Sequence, residues 1–309
     1  MSIDIKSFVS LVKKYQTNVL KKDKLLAFLK NLPTDILINI ISKTKKAISN
    51  REVAIELLFT RTGPEIDQAL IAAAKESSGP LQLSIIKELG SRPGKIIDLF
   101  LMEFVINNQA LPDYEIFKVI FKTLAERPGQ MITGFLMDSV WSEQIFILAP
   151  AIEALTKRPG AEVDQTLIKC AMDKRWNRHQ EAFKALGTRP GQTIDEVLIA
   201  ASKNEGEFGN NNTSFLSNNT EYLESIRWAA AKAMRGRVSE KIDEALISLT
   251  KDDCWYTKLA AIKSMVGRDN PLIKKVLRKT SKIKDLNYRE LSEIASYILS
   301  GDTVIDKPE

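Results

Sequence analysis

Apolar residues recur at steps of three and four along most of the chain, which is the spacing of one face of an α-helix. Ile242, Leu246 and Leu249 show this spacing. The apolar stretches have helical length and come in pairs, of which one is expected at 194–202 and 222–234. The pattern therefore predicts an all-α chain built from pairs of amphipathic helices.

The helix pairs repeat, and an arginine marks the start of each unit. Successive arginines are separated by 31, 35, 31, 31, 48 and 31 residues. An Ile or Val follows each arginine by five residues, a Leu follows it by nine, and a Leu or Met precedes it by three. Self-similarity at a period of about 20–50 residues indicates a stacked array, because one helix pair cannot bury its apolar face alone. The seven arginines are Arg61, Arg92, Arg127, Arg158, Arg189, Arg237 and Arg268.

The segment after each arginine predicts a turn followed by a helix. We interpret its Pro as a first-turn residue of the next helix and its Gly as the exit from the preceding one. An Asp follows the arginine by six residues in five units, whereas Thr133 and Lys274 occupy that position in the other two. In a stacked array each Asp would lie near the arginine of its own or the next unit, which predicts a structural ladder of charge-assisted hydrogen bonds. The predicted ladder comprises Arg61, Asp67, Arg92, Asp98, Arg158, Asp164, Arg189, Asp195, Arg237 and Asp243.

The repeat pattern also predicts the domain organisation. The array is expected to span residues 31–301, with about eight helix pairs. A Lys-rich helical cap is expected at 1–30, and a polar tail at 302–309.

One unit is longer than the others because of an insertion at 204–220, which is rich in Asn, Gly and Ser and is therefore expected to form a loop. Insertions in repeat proteins often lie on the binding face. Phe208 and Phe215 are therefore candidate partner contacts, and the alternative is a tolerated insertion without a binding role.

Two inter-helix turns share an Asp and, three residues later, a Trp: Asp173 with Trp176 and Asp252 with Trp255. The helices that follow carry small residues seven positions before the next arginine, as at Ala182. These features resemble HEAT repeats, in particular the short HEAT-like repeats of the phycobilin-lyase type. The resemblance implies an α-solenoid of stacked antiparallel helix hairpins. It is weak for function, because such repeats serve lyases, DNA-repair enzymes, transport factors and adaptors.

Charge and cysteine usage narrow the expectations further. The net charge of +6 is uneven, since the two ends of the chain are basic and the middle is mildly acidic. We see no secretory signal and no apolar run long enough to span a bilayer. Cys170 and Cys254 are interpreted as buried thiols, and a cytoplasmic location is expected.

The candidate binding residues lie mainly at the tryptophan-containing turns. Trp176 and Trp255 are interpreted either as turn-packing residues or as exposed recognition residues, since Trp is enriched in binding hot spots. The full candidate set is Lys174, Arg175, Trp176, Arg178, Trp255, Phe208 and Phe215.

No catalytic or metal-binding constellation is recognised. The chain has a single histidine, His179, and no CxxC or HxxxH spacing that would preorganise a metal site. An activated thiol formed by Cys170 and His179 is a remote alternative. We therefore predict that the chain is not an enzyme and has no cofactor.

Three functions remain open from the sequence. The first is a non-catalytic scaffold or adaptor that binds another protein on the surface of the solenoid. The second is nucleic-acid binding in a groove, which the basic ends favour and the acidic middle opposes. The third is an enzyme or chaperone of the bilin-lyase type, which the family resemblance alone suggests.

Overall fold

The computed structural model describes residues 8, 10, 12, 30, 32–43, 48–110, 113–205 and 220–301. Within these ranges the regular secondary structure is helical, with no strand. The predicted all-α solenoid of helix hairpins is confirmed. The chain divides into two compact bodies, an N-terminal body, Met1–Pro128, and a C-terminal body, Gly129–Glu309.

The described part of the N-terminal body forms three helix hairpins. In each hairpin we call the first, odd-numbered helix the A helix and the second, even-numbered helix the B helix. A helices contact A helices of the next hairpin, and B helices contact B helices, which gives two layers. The helices are α1 (Thr34–Lys43), α2 (Ile48–Phe59), α3 (Pro64–Glu76), α4 (Gly79–Ser91), α5 (Lys95–Asn107) and α6 (Tyr114–Glu126).

The described part of the C-terminal body is built from five hairpins of the same kind. Its B helices form an unbroken layer in which each contacts the next, from α8 to α16. The helices are α7 (Gln130–Ser139), α8 (Ile145–Thr156), α9 (Ala161–Ala171), α10 (Trp176–Thr188), α11 (Gln192–Lys203), α12 (Thr220–Ala233), α13 (Glu240–Leu249), α14 (Trp255–Lys263), α15 (Pro271–Thr280) and α16 (Arg289–Ser300). A single 3₁₀ turn, Leu286–Tyr288, precedes α16.

The core lies between the two layers and includes all the repeated apolar positions. The residues five after, nine after and three before the repeat arginines are all buried, with at most 2% of their surface exposed. Burial of such a side chain stabilises a fold by about 1.5–3 kcal/mol. The period of the array is therefore set by the positions that face the core.

The turns between units correct our interpretation of Pro and Gly. In the Arg-Pro-Gly turns the Gly is the N-cap residue of the following A helix, as Gly94 is of α5, with φ of 142°. That dihedral is accessible to Gly and strained for other residues. Pro93 therefore precedes the helix, whereas Pro64 is a first-turn residue of α3, as predicted.

Three of the predicted segments fall mostly outside the described residues. These are the cap at 1–30, the greater part of the insertion at 204–220, and the tail at 302–309. In the described ranges, no helix has both the length and the apolarity that crossing a bilayer requires.

Candidate functional site

The arginines and aspartates of the predicted ladder meet along the turns between units. Arg92 binds Asp67 at 3.0 Å, and Arg268 binds Asp243 at 2.5 Å. In each pair the arginine belongs to the unit that follows the aspartate, so the contact joins successive units. The remaining pairs are Arg127 with Asp98, Arg189 with Asp164, and Arg237 with Asp195.

The same arginines also donate to backbone carbonyls where the preceding B helix ends. Arg189 Nη1 donates to the carbonyl oxygen of Leu155 at 3.2 Å and to that of Arg158 at 2.8 Å. Leu155 lies in the last turn of α8 and Arg158 just beyond it, and a cation at the C-terminal end of a helix complements the helix dipole. The guanidinium groups are thus committed to joining units.

For two ladder arginines, Arg61 and Arg158, the sequence has no Asp at the ladder position of the preceding unit. Arg61 instead donates to Thr34 Oγ1 at 2.9 Å and to the carbonyl oxygen of Lys30 at 2.9 Å. Arg158 is buried and follows Thr133 by 25 residues, the distance at which Arg92 follows Asp67. Burial lowers the pKa of Arg158.

The Asp173 turn, between α9 and α10, contains most of the candidate binding residues. Asp173 accepts hydrogen bonds from the backbone N–H of Arg175 at 2.9 Å and from Arg178 Nη1 at 2.7 Å. Burial acts to raise the pKa of Asp173, but the hydrogen bonds from Arg175 and Arg178 outweigh it and hold that pKa well below its usual range. The carboxylate is therefore ionised and organises the turn.

Arg178 is not an exposed binding residue, which corrects our expectation for it. Only 1% of its surface is exposed, and its remaining donors reach the carbonyl oxygens of Val140 and Ser142, each at 2.9 Å. Its guanidinium also lies 5.2 Å from the ring centre of Trp141. Arg178 thus joins its turn to the turn of the preceding hairpin.

The other candidate residues differ in their exposure. Lys174 is exposed, and Arg175 is about half exposed and pairs with Glu143. Trp255 is partly buried, and its ring packs edge-on against Tyr288 with centroids 5.6 Å apart. Trp176 begins α10, but its side chain is not among the described ones, and Phe208 and Phe215 lie outside the described residues.

His179 and Cys170 are both fully buried. Burial lowers the pKa of His179 to about 4 and raises the pKa of Cys170 to about 12. His179 Nε2 lies 3.0 Å from the Ser225 hydroxyl, which joins α10 to α12. Because the thiol keeps its proton, the structure does not support an activated Cys170. Cys254 is only partly buried, contrary to our expectation.

A groove lies on the B-helix layer of the C-terminal body. Its volume is about 1150 Å³, and its walls come from the consecutive B helices α10, α12, α14 and α16. Small residues allow the helices to approach closely along its floor. Gly187 is one of them, because a Cβ atom there would lie 3.0 Å from the backbone of Ala233.

The groove combines aromatic and charged side chains. Trp228 lies on α12, and the Lys232 ammonium group is 4.4 Å from its ring centre. Trp255 and Tyr256 lie on α14, and 67% of the Tyr256 surface is exposed. The charged residues that line the groove are Glu181, Lys184, Lys232, Arg235, Lys263 and Glu290.

Among the described residues that line the groove, Trp255 alone belongs to the candidates predicted from the sequence. A usable signal was nevertheless present, because Lys184, Lys232 and Lys263 each precede a repeat arginine by five residues. The apolar positions of the repeat predict the core, and its turn positions predict the ladder. The recurrence of these lysines is seen only when the polar positions of the units are aligned as well. Among the described residues, no three His, Cys, Asp or Glu side chains are grouped so that they could hold a metal ion.

Comparisons with known proteins give structural neighbours only. No protein-family model matches the chain, and no curated protein matches its sequence. A structure of human deoxyhypusine hydroxylase in complex with glycerol is similar at 15% identity and a TM-score of 0.34, over 75% of this chain and 94% of that one. A crystal structure of an engineered protein is similar at 13% identity and a TM-score of 0.35, over 96% of this chain and 99% of that one.

These comparisons correct one prediction and establish no family. The prediction that the chain is not an enzyme is contradicted, because one of the similar structures is that of a hydroxylase. The likeness is too low to assign a reaction to this chain.

Proposed function

We propose that the chain is a protein-binding scaffold of HEAT-like helix hairpins that holds a segment of another protein in its B-helix groove. The observation that carries this proposal is the groove itself, in which aromatic and basic side chains from α10, α12 and α14 line one continuous space. Stacked helix hairpins use such extended surfaces for binding.

The size and composition of the groove favour a macromolecular segment over a small ligand. Its volume of about 1150 Å³ exceeds the range of about 300–1,000 Å³ that is usual for small-molecule sites. Trp and Tyr are the residue types that most often carry the binding energy at protein interfaces. Trp228, Trp255 and Tyr256 supply both types here.

Nucleic acid is the second candidate, because Lys184, Lys232 and Lys263 line the groove and phosphate binding depends on cations. Glu181 and Glu290 line the same groove and would repel a phosphate backbone. A protein segment can complement both signs of charge, so it fits the groove better.

The test is an affinity capture from native lysate with paired variants. The groove variant is Trp228→Ala with Lys232→Glu. The control variant is Tyr114→Ala with Lys118→Glu, because Lys118 lies 5.8 Å from the Tyr114 ring centre on α6 and repeats the same pairing of an aromatic residue with a lysine four positions later. Each variant is first checked by circular dichroism for wild-type helix content. Retained proteins are identified, purified, and titrated against both variants.

The proposal expects a protein that binds the wild-type chain and the control variant but not the groove variant, with or without nuclease. Material that is lost on nuclease treatment would move nucleic acid to first place. A partner that binds both variants equally would show that the groove is not the site.

A further inference from the structure

The lysines of the groove form a row with the period of the fold. Lys184, Lys232 and Lys263 each stand five residues before a repeat arginine, and they lie on α10, α12 and α14. Because α10 contacts α12 and α12 contacts α14, equivalent positions on these helices are neighbours. All three lysines line the groove, and they therefore cross it from helix to helix.

The spacing of this row follows from helix packing. Axes of packed helices are about 8–10 Å apart, so consecutive lysines of the row are offset by a similar distance. A polyproline II segment has three residues per turn and rises about 3.1 Å per residue, so every third side chain returns to the same side after about 9 Å. A β-strand does not offer this match, because its side chains at i and i+3 point to opposite faces.

The aromatic residues of the groove point to the same conformation. Polyproline II segments are commonly recognised by grooves lined with aromatic side chains. Trp228 stands beside Lys232 on α12, while Trp255 and Tyr256 stand on the neighbouring α14. A segment that crosses the helices would thus meet aromatic rings and ammonium groups together.

We propose that the groove binds a polyproline II segment of another protein that carries Asp or Glu at every third residue. This inference rests on the proposed function, because it specifies the segment that the scaffold holds. One carboxylate faces each lysine of the row, and the residues between the carboxylates pack on the aromatic rings. The residues of the segment that lie beside Glu181 and Glu290 are uncharged or basic, so that the segment complements both signs of charge in the groove.

The inference is tested with fluorescent peptides and the full chain at low ionic strength. The matched peptide contains three Glu-Pro-Pro repeats, and its isomer has the same composition with the three Glu residues contiguous. Each exposed ion pair contributes about two- to fivefold in affinity. We expect the matched peptide to bind about tenfold more tightly than its isomer, and the difference to shrink as salt rises.

Matched lysine variants show whether the row is responsible. Replacing Lys184, Lys232 and Lys263 by Gln should abolish the difference between the two peptides. Replacing Lys75, Lys95 and Lys118 by Gln removes the same charge from exposed positions of the N-terminal body that do not stand five residues before a repeat arginine, and this variant should leave the difference intact. Circular dichroism confirms that both variants are folded.

The alternative outcomes separate this inference from the function on which it rests. Equal affinity for the two peptides, tighter binding of a helical peptide with Glu at every seventh residue, or no peptide binding at all would overturn the spacing rule. A partner that is captured by the wild-type chain and lost by the Trp228 and Lys232 variant would still support the scaffold. If the matched peptide shows no preference and no captured partner depends on the groove, both proposals are rejected.

Discussion

The Asp173 turn and the Asp252 turn carry the same motif but obtain their arginine from different places. In both turns the Asp accepts a hydrogen bond from the backbone N–H two residues later. Arg178, which pairs with Asp173, lies on α10, the helix that follows the turn. Arg227, which pairs with Asp252, lies on α12, the B helix of the preceding hairpin.

The difference shows that the shared motif predicts a cation beside the Asp but does not predict which helix supplies it. An ionised carboxylate at a partly buried turn requires a charged partner. In the Asp173 turn that partner also holds the turn of the preceding hairpin through Val140 and Ser142. A basic residue next to a Trp can therefore be internal and structural, as Arg178 is, or partly exposed, as Arg175 is.

The largest expected effect on stability comes from replacing each of the two arginines by Ala, one at a time. Arg178→Ala leaves the carbonyls of Val140 and Ser142 without this donor and weakens the support of a partly buried carboxylate, which should lower the free energy of unfolding by about 3–5 kcal/mol. Arg227→Ala removes only the paired hydrogen bonds to Asp252, at 2.6 and 3.2 Å, and should cost about 1.5–3 kcal/mol. Urea denaturation measures both, and equal losses would refute the distinction between the two turns.

A second difference is that the helix after the Asp173 turn contains a buried histidine. The pKa of His179 is lowered to about 4 by burial, against about 6.5 in an unfolded chain. Between these values the unfolded chain binds a proton that the folded chain does not. Stability should therefore be unaffected above about pH 7 and fall by about 2 kcal/mol by about pH 5.

The measurement for this prediction is urea denaturation as a function of pH in the wild type and in His179→Gln. Because His179 is the only histidine, the variant should lose the pH dependence between about pH 7 and 5. An unchanged dependence in His179→Gln would contradict the assignment.

A third test concerns how closely the helix after the Asp173 turn packs on its neighbour. In Gly187→Ala the new Cβ would meet Ala233 at 3.0 Å, and overpacking of this kind costs about 1–3 kcal/mol. Since Ala favours a helix over Gly by about 1 kcal/mol, the net loss should be about 1 kcal/mol.

Gly134→Ala is the matched control, because nothing lies within 4 Å of the Cβ position of Gly134 in α7. This substitution should stabilise the chain by about 1 kcal/mol. Changes of the same sign in the two variants, measured as melting temperatures, would exclude a close contact at Gly187.

The smallest expected effect on stability concerns the ladder, to which the units with the Asp173 and Asp252 turns both contribute. Both have an Asp six residues after their first arginine, whereas the unit that starts at Arg127 has Thr133. Thr133→Asp would place a carboxylate at the ladder position that precedes Arg158, near the start of α7, where the helix dipole also favours it. The stability should rise by about 0.5–1 kcal/mol. Thr133→Asn is the neutral control, and an equal rise in that variant would rule out a charge effect.

The sequence by itself determined the helices, the period and the positions that face the core. Apolar residues at fixed distances from each repeat arginine specify one buried stripe per helix, and the stripe is a local property of the chain. The ladder could be anticipated for the same reason, because Arg and Asp keep a constant offset.

Only the tertiary structure decided which charges are internal and where a partner could bind. Arg178 and Arg175 look equivalent in the sequence, yet the stacking of successive hairpins buries the first and leaves the second partly exposed. Trp228, Lys232 and Tyr256 belong to one groove only because α12 packs beside α14. Burial and concavity depend on contacts between helices that are distant in the chain, and no single repeat contains that information.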